Sequence, residues 1–218
     1  MQVLCAGLAL TTSNSTSDKT CTKTSTGTSA TKNTHTILQL GLGGGAINRF
    51  LLNQPDVQYL ATVERYAEII EIYRNYFGGH SLDNLETLHL NSAERFLAKS
   101  GDKRFNYILL DLFDQNGMPE YCYQPAFYKA LLKRLEENGI IAINVPFWTH
   151  NSLQTVFIAL RKHFNHVAFI EIPAHENLVL FASGQTIRVD NNKFEQINNQ
   201  LDIDAAMYLE NLVIAPPI

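Results

Sequence analysis

From residue 37 onward, short apolar runs alternate with segments whose apolar residues recur at helical spacing. Unbroken apolar runs bounded by turn residues mark buried strands, and recurrence at i, i+3 and i+4 marks helices packed along one side. The pattern predicts strands at Ile37–Leu40, Val57–Val63, Thr87–Leu90, Tyr107–Asp111 and Ile140–Val145. Between and after them it predicts helices at Ala46–Leu52, Tyr66–Phe77, Ala93–Ala98, Pro125–Glu137 and Ser152–His163. The second helix carries Ile69, Ile70, Ile72, Tyr73, Tyr76 and Phe77, a broad apolar face, and Gly78-Gly79 ends it. Alternating strands and helices build a mostly parallel sheet with helices on both faces. The ending differs. His166–Ile172 and Leu178–Ala182 are strand-like and separated only by PAHEN, too short for a crossover helix, so they pair as an antiparallel hairpin. Two tail helices are expected at Phe194–Gln200 and Ala205–Leu212.

The N-terminal stretch breaks this pattern. Residues 11–36 are dominated by Thr and Ser, with almost no large apolar side chains. Such a segment buries too little surface to offset its ordering entropy. The chain therefore divides into a flexible Thr/Ser-rich segment, 1–36, and one α/β domain, 37–218. The apolar run Val3–Leu10 is too short to span a membrane and has no basic residue before it to open a secretory signal.

Composition narrows the function classes. The chain has 218 residues, 45% hydrophobic and 17% charged, with a formal net charge of −4. That suits a domain with a sizeable core, and it lacks the basic balance of a nucleic-acid binder. Three cysteines without paired spacing argue against a disulfide framework or a zinc cluster, and the histidines are scattered. The expectation is a cytoplasmic protein with no metal, no nucleic-acid partner and no membrane partner.

Candidate chemistry sits in three loops after strand ends, where open α/β sheets bind ligands. The first is Gly41, Gly43, Gly44 and Gly45, followed by a helix with free N–H groups at its start. Glu64 lies about twenty residues on, where an acid reaches a ribose hydroxyl in nucleotide-binding βαβ units. This loop alone also leaves an NAD-dependent dehydrogenase open. The second loop holds Asn91 and Ser92, which either contact a nucleobase or cap the next helix. The third holds Asp111 and Asp114, two carboxylates three residues apart that can hold an ammonium and take up its proton, or cap turns. Arg49 reads as a surface residue. Tyr121, Tyr123 and Tyr128 read as packing or pocket-wall residues, and Cys122 as structural.

Taken together, GLGGGxxxRFL, VE before a helix ending YFG, YILLDLFDxxGMP, GIIAINV and ENLVLFAS resemble the spermidine-synthase-like aminopropyltransferase family. The resemblance runs from about residue 37 to 184. It implies the Rossmann-like class I SAM-methyltransferase fold, with a seven-stranded sheet and a terminal antiparallel hairpin. It implies that Gly41–Gly45 line a sulfonium nucleoside, that Glu64 holds the ribose and that Asn91 stands where the family has an Asp contacting adenine. Asp111 and Asp114 match the family's D-x-x-D pair, whose first Asp assists deprotonation of the attacking amine. Where the family reads GGGDGG, Gly44 replaces the acid that holds the donor's free amine. The Thr/Ser-rich segment stands where the family's N-terminal β-hairpin domain is expected.

The expected activity is alkyl transfer, by family resemblance aminopropyl transfer, from a sulfonium donor to a small polyamine-like amine. The donor is S-adenosylmethionine or its decarboxylated form. A SAM-dependent methyltransferase and a non-catalytic nucleoside-binding or oligomerising relative remain alternatives, and a homodimer stays open.

Overall fold

The structure is a computed structural model. It describes residues 4–5, 7–13, 34–77, 84–99, 101–113, 117–146, 150–172, 177–200 and 211–216. Alternation of strands and helices dominates. The strands are β1 (Leu10–Ser13), β2 (His35–Leu40), β3 (Val57–Glu64), β4 (Glu86–Leu90), β5 (Phe105–Leu110), β6 (Leu135–Pro146), β7 (His166–Ile172), β8 (Asn177–Ser183), β9 (Thr186–Val189) and β10 (Val213–Ile214). The helices are α1 (Ala46–Leu52), α2 (Ala67–Ile72), α3 (Ala93–Ala98), α4 (Pro125–Arg134), α5 (His150–Arg161) and α6 (Asn191–Asn198).

The main sheet runs β10-β7-β8-β6-β5-β2-β3-β4. Strands β4, β3, β2, β5 and β6 are parallel. Strand β8 pairs antiparallel with both β6 and β7, from Ile141 opposite Ala182 and from His166 opposite Ser183. The expected hairpin is therefore present, and the two-residue β10 adds an eighth strand to the expected seven. The strand order reverses at β2, between β3 and β5, which opens a crevice at the carboxyl ends of these strands.

Each sheet face carries its own core, because strands buried on both sides alternate their side chains between two helical layers. Leu38, Leu40, Ile108 and Leu110 pack with Leu97 of α3, Tyr128 and Leu131 of α4 and Leu160 of α5. Ile37, Tyr107 and Leu109 face the other way, onto Ile47 and Leu51 of α1 and Ile197 of α6.

That second face holds a correction. Leu4, Cys5, Leu8, Ala9 and Leu10 are buried in it, so the described part of the N-terminus is not a flexible segment. The Tyr107 hydroxyl donates to the Leu10 carbonyl at 3.0 Å, and β1 pairs antiparallel with β9 as a separate two-stranded sheet. His35 and Thr36 already belong to β2, which starts before the expected domain boundary at 37. Residues 14–33 and the expected helix Ala205–Leu212, save its last two residues, lie outside the described residues.

Two helices end earlier than their patterns predict. The expected helix Tyr66–Phe77 is α-helical only to Ile72 and continues as a π turn over Tyr73–Phe77. Only Ile70 and Tyr73 of it are buried, while Ile72, Tyr76 and Phe77 face solvent. Its apolar residues lie around too much of the helix for one narrow contact to cover. Helix α4 stops at Arg134 rather than Glu137, because Leu135 turns extended and enters β6 opposite Phe105. The Arg134 guanidinium fixes that corner by donating to the carbonyls of Gly101 at 2.8 Å and Lys99 at 3.1 Å.

The π turn shapes the glycine loop. Tyr73 lies against Gly45, the N-cap of α1, whose φ is 69°. A side chain at Gly45 would be strained by that φ and would collide with the Tyr73 ring. The Tyr73 hydroxyl donates to Glu86 at 3.2 Å, and the Asn48 amide donates to Thr62 Oγ1 at 2.8 Å and Glu86 Oε1 at 2.5 Å. Helix α1, the π turn and strands β3 and β4 are thus joined behind the loop.

Two stability outcomes follow, both read by urea unfolding. Leu10→Ala lowers stability by about 2–4 kcal/mol, the usual cost of emptying a filled core site; a change within about 0.5 kcal/mol, as for an exposed site, would mean the N-terminal segment is not part of the core. Gly45→Ala lowers it by about 1–3 kcal/mol through the φ strain and the Tyr73 collision; a neutral or stabilising effect would contradict the packing of Tyr73.

Candidate functional site

The crevice at the strand ends is a cavity of about 360 Å³ lined by residues of all three candidate loops. From the first come Gly41 and Gly43; from the end of β3 comes Glu64, and beyond it Arg65, Tyr66 and Ile69; beyond β4 comes Asn91. Asp111, Leu112, Phe113, Pro119 and Tyr121 close the far wall. The size falls within the range of small-molecule sites.

Glu64 organises the cavity. It is buried, and its carboxylate accepts three backbone hydrogen bonds: Leu42 N–H to Oε2 at 3.1 Å, and Arg65 and Tyr66 N–H to Oε1 at 2.7 and 2.9 Å. A carboxylate has about four acceptor positions. Oε2 keeps one, enough to accept a hydroxyl, while the three N–H groups hold the side chain in place. The Glu64 carbonyl also accepts from Asn91 N–H at 2.8 Å, which ties the second loop to the same residue.

The first and third loops meet at Gly41. Its φ is 93°, and a Cβ there would strike the Asp111 carbonyl oxygen. Glycine is required because two backbones pass in contact at this point. Asp111 N–H donates to the Leu40 carbonyl at 3.0 Å, and Asp111 Oδ1 accepts from the Asn144 amide at 2.9 Å. Asn144 lies on β6, so a rigid neighbouring strand orients the carboxylate. The other oxygen, Oδ2, has no protein partner among the described residues.

Four of the seven residues expected to bind a nucleoside line the cavity: Gly41, Gly43, Glu64 and Asn91. The other three shape it from outside. Gly45 is the buried N-cap of α1; Gly44 is exposed, and its carbonyl accepts from Arg49 at 3.1 Å. Ser92 caps α3 by accepting Arg95 N–H at 3.2 Å. Asn91 has a structural role as well, its Oδ1 accepting Ser92 N–H at 3.0 Å. Asp114 lies outside the described residues.

Pattern reasoning left several wall residues without a role. Arg65 and Tyr66 follow the acid directly, with the guanidinium 4.5 Å from the ring centroid; their place after Glu64 was the available signal. Leu112, Phe113 and Pro119 carried no comparable signal, since apolar residues in a loop usually pack. Tyr121 is a wall residue whose hydroxyl is pushed up to about 12 by burial and then by Cys122, so it stays a protonated donor at neutral pH. Tyr128 is a packing residue and donates to the Cys122 carbonyl at 2.6 Å. Burial pushes the Cys122 thiol up to about 12, which fits a structural residue and not a nucleophile. Arg49 does more than sit in solvent: it braces Gly44 and stacks near Phe77, 5.5 Å from the ring centroid. Among the described residues, no group of three or more His, Cys, Asp or Glu side chains could hold a metal ion, and no helix is long and apolar enough to cross a membrane.

Comparison with known proteins places this geometry. The chain is 28% identical over 184 residues to the polyamine aminopropyltransferase of Buchnera aphidicola subsp. Acyrthosiphon pisum, an alignment covering 78% of this chain and 64% of that protein. The chain thus spans less than two-thirds of the length of this relative. A spermidine synthase solved with the transition-state analogue AdoDATO superposes with a TM-score of 0.57 at 20% identity, over 74% of this chain and 56% of that one. Human methyltransferase-like protein 13, solved with SAH, gives 0.66 at 16% identity, over 77% and 81%. At these identities the two structures establish the class I methyltransferase fold. The spermine/spermidine synthase domain model matches residues 23–193, most of the chain, and the protein belongs to that family.

Proposed function

We propose that this domain transfers an aminopropyl group from a sulfonium nucleoside to a small amine. The observation that carries the reading is Asp111: a carboxylate at the end of β5, fixed by Asn144, in the wall of a cavity shared with Glu64 and the glycine loop. The same cavity supports a nucleoside. Glu64 Oε2 has one acceptor position left for a ribose hydroxyl, and Asn91 offers its amide nitrogen to a base edge. Gly41 and Gly43 let the backbone approach the ligand closely.

The chemistry is a displacement at carbon. The amine nitrogen attacks the carbon bonded to the sulfonium sulfur. A C–N bond forms, the C–S bond breaks, and its electron pair neutralises sulfur to leave a thioether nucleoside. An amine reacts only when unprotonated, so a base must take up its proton. We assign that role to Asp111, because Asn144 holds one oxygen and leaves Oδ2 to the substrate ammonium. Asp114, two loop residues beyond Leu112, would add a second negative charge for a polycationic acceptor.

Gly44 supplies the observation behind a second reading, SAM-dependent methyl transfer. Gly44 has no side chain to hold the free amine of decarboxylated SAM, and SAM does not depend on that acid. Calorimetry with a donor panel separates the two. Aminopropyl transfer predicts tighter binding of decarboxylated SAM and 5′-methylthioadenosine than of SAM and S-adenosylhomocysteine, with turnover on putrescine; the reverse order assigns methyl transfer, and no binding of any of the four excludes both. Under the leading reading, Asp111→Asn lowers kcat by about 10²–10⁴-fold, the usual share of a general base, with nucleoside binding retained. Unchanged turnover would remove Asp111 from the chemistry.

A further inference from the structure

A second cavity, of about 500 Å³, lies beside the first on the sheet face that carries α3 and α4. Asn91 borders both cavities. The second cavity is lined by Tyr59, His89 and Phe96, and also by Leu88 and Phe105. Its charged lining is Lys99, Lys103 and Arg134, and no carboxylate lines it. Asp102, next to Lys103 in the chain, is not part of the lining. Three cations around one cavity run against the balance of a chain whose net charge is −4.

Both lysines are exposed, and each also acts on the cavity lining. The Lys103 ammonium sits over the Tyr59 ring, 3.0 Å from its centroid, which keeps the charge against the cavity wall. The Lys99 charge reaches His89, whose imidazole is held below its usual range first by burial and then by that lysine. His89 is therefore neutral at physiological pH and able to hydrogen-bond, and its ring lies 5.0 Å from that of Phe96. Arg134 has a structural task, since its guanidinium is spent on the backbone carbonyls of Lys99 and Gly101. Neither lysine has a carboxylate partner among the described residues.

We propose that this cavity binds a small organic phosphate carrying a flat ring, of mononucleotide size. Lys99 and Lys103 take the phosphate, and His89 and Phe96 give the ring aromatic surface to lie on. The volume suits a small molecule. The positive charge is confined to one cavity of an acidic chain, which argues for a small anion over a nucleic-acid strand.

The test is calorimetry of the full chain with three probes: UMP, uridine and inorganic phosphate. UMP should bind at least tenfold more tightly than either fragment, and 5′-methylthioadenosine should not displace it. Lys99→Gln with Lys103→Gln should weaken UMP at least tenfold. Lys129→Gln with Lys162→Gln, two exposed lysines outside the cavity, should leave it unchanged. Lys99→Gln alone should weaken UMP several-fold, and serves if the double variant fails to fold. The proposal is overturned if UMP does not bind at millimolar concentration, if uridine binds as tightly, if the control pair weakens UMP equally, or if 5′-methylthioadenosine competes with it.

Discussion

The site depends on one carboxylate accepting three backbone N–H groups. Glu64 draws Leu42, Arg65 and Tyr66 onto its two oxygens, so the glycine loop and the β3–α2 turn share one anchor. Hydrogen bonds to a charged acceptor are stronger than neutral ones, and burial strengthens them further. The Glu64 carbonyl extends the anchor to Asn91. On the other side, contact between Gly41 and the Asp111 carbonyl sets how closely the third loop approaches. Three segments far apart in sequence are thereby held around one space before any ligand arrives. A preformed site lowers the ordering cost of binding.

Much of this was legible in the sequence because it rests on short-range patterns. Apolar runs of four to six residues marked β2, β5 and β6, and the five-residue PAHEN gap left β7 and β8 no option but an antiparallel hairpin. The meeting of Gly41 and Glu64 in one cavity was legible for the same reason, since it is tied to a spacing within one βαβ unit. What failed depends on distant partners. Val3–Leu10 read only as an apolar run too short to span a membrane; the fold supplies Leu10 with the Tyr107 hydroxyl and with Val189 of β9. The pairing of β1 with β9 joins residues about 175 positions apart, which local pattern does not encode. Gly44, Gly45 and Ser92 do not line the cavity: the Gly44 carbonyl accepts from Arg49, Gly45 lies against Tyr73, and Ser92 caps α3.

The family and the loop pull on the donor from different sides. Membership in the spermine/spermidine synthase family favours the aminopropyl group. The first loop carries Gly44 where the family pattern has an acid. The Asp111–Asn144 hydrogen bond lies on the third loop, away from Gly44. The parts of the protein that match its polyamine aminopropyltransferase relative cover less than two-thirds of that protein's length.

The most direct test of the central claim is a crystal structure of the chain soaked with 5′-methylthioadenosine. The account predicts the ribose within hydrogen-bond distance of Glu64 Oε2, the adenine beside Asn91, and the thioether end facing Asp111, with the three backbone bonds to Glu64 intact. A nucleoside bound elsewhere, or a Glu64 that breaks its bonds to Leu42, Arg65 and Tyr66 to reach the ligand, would contradict it.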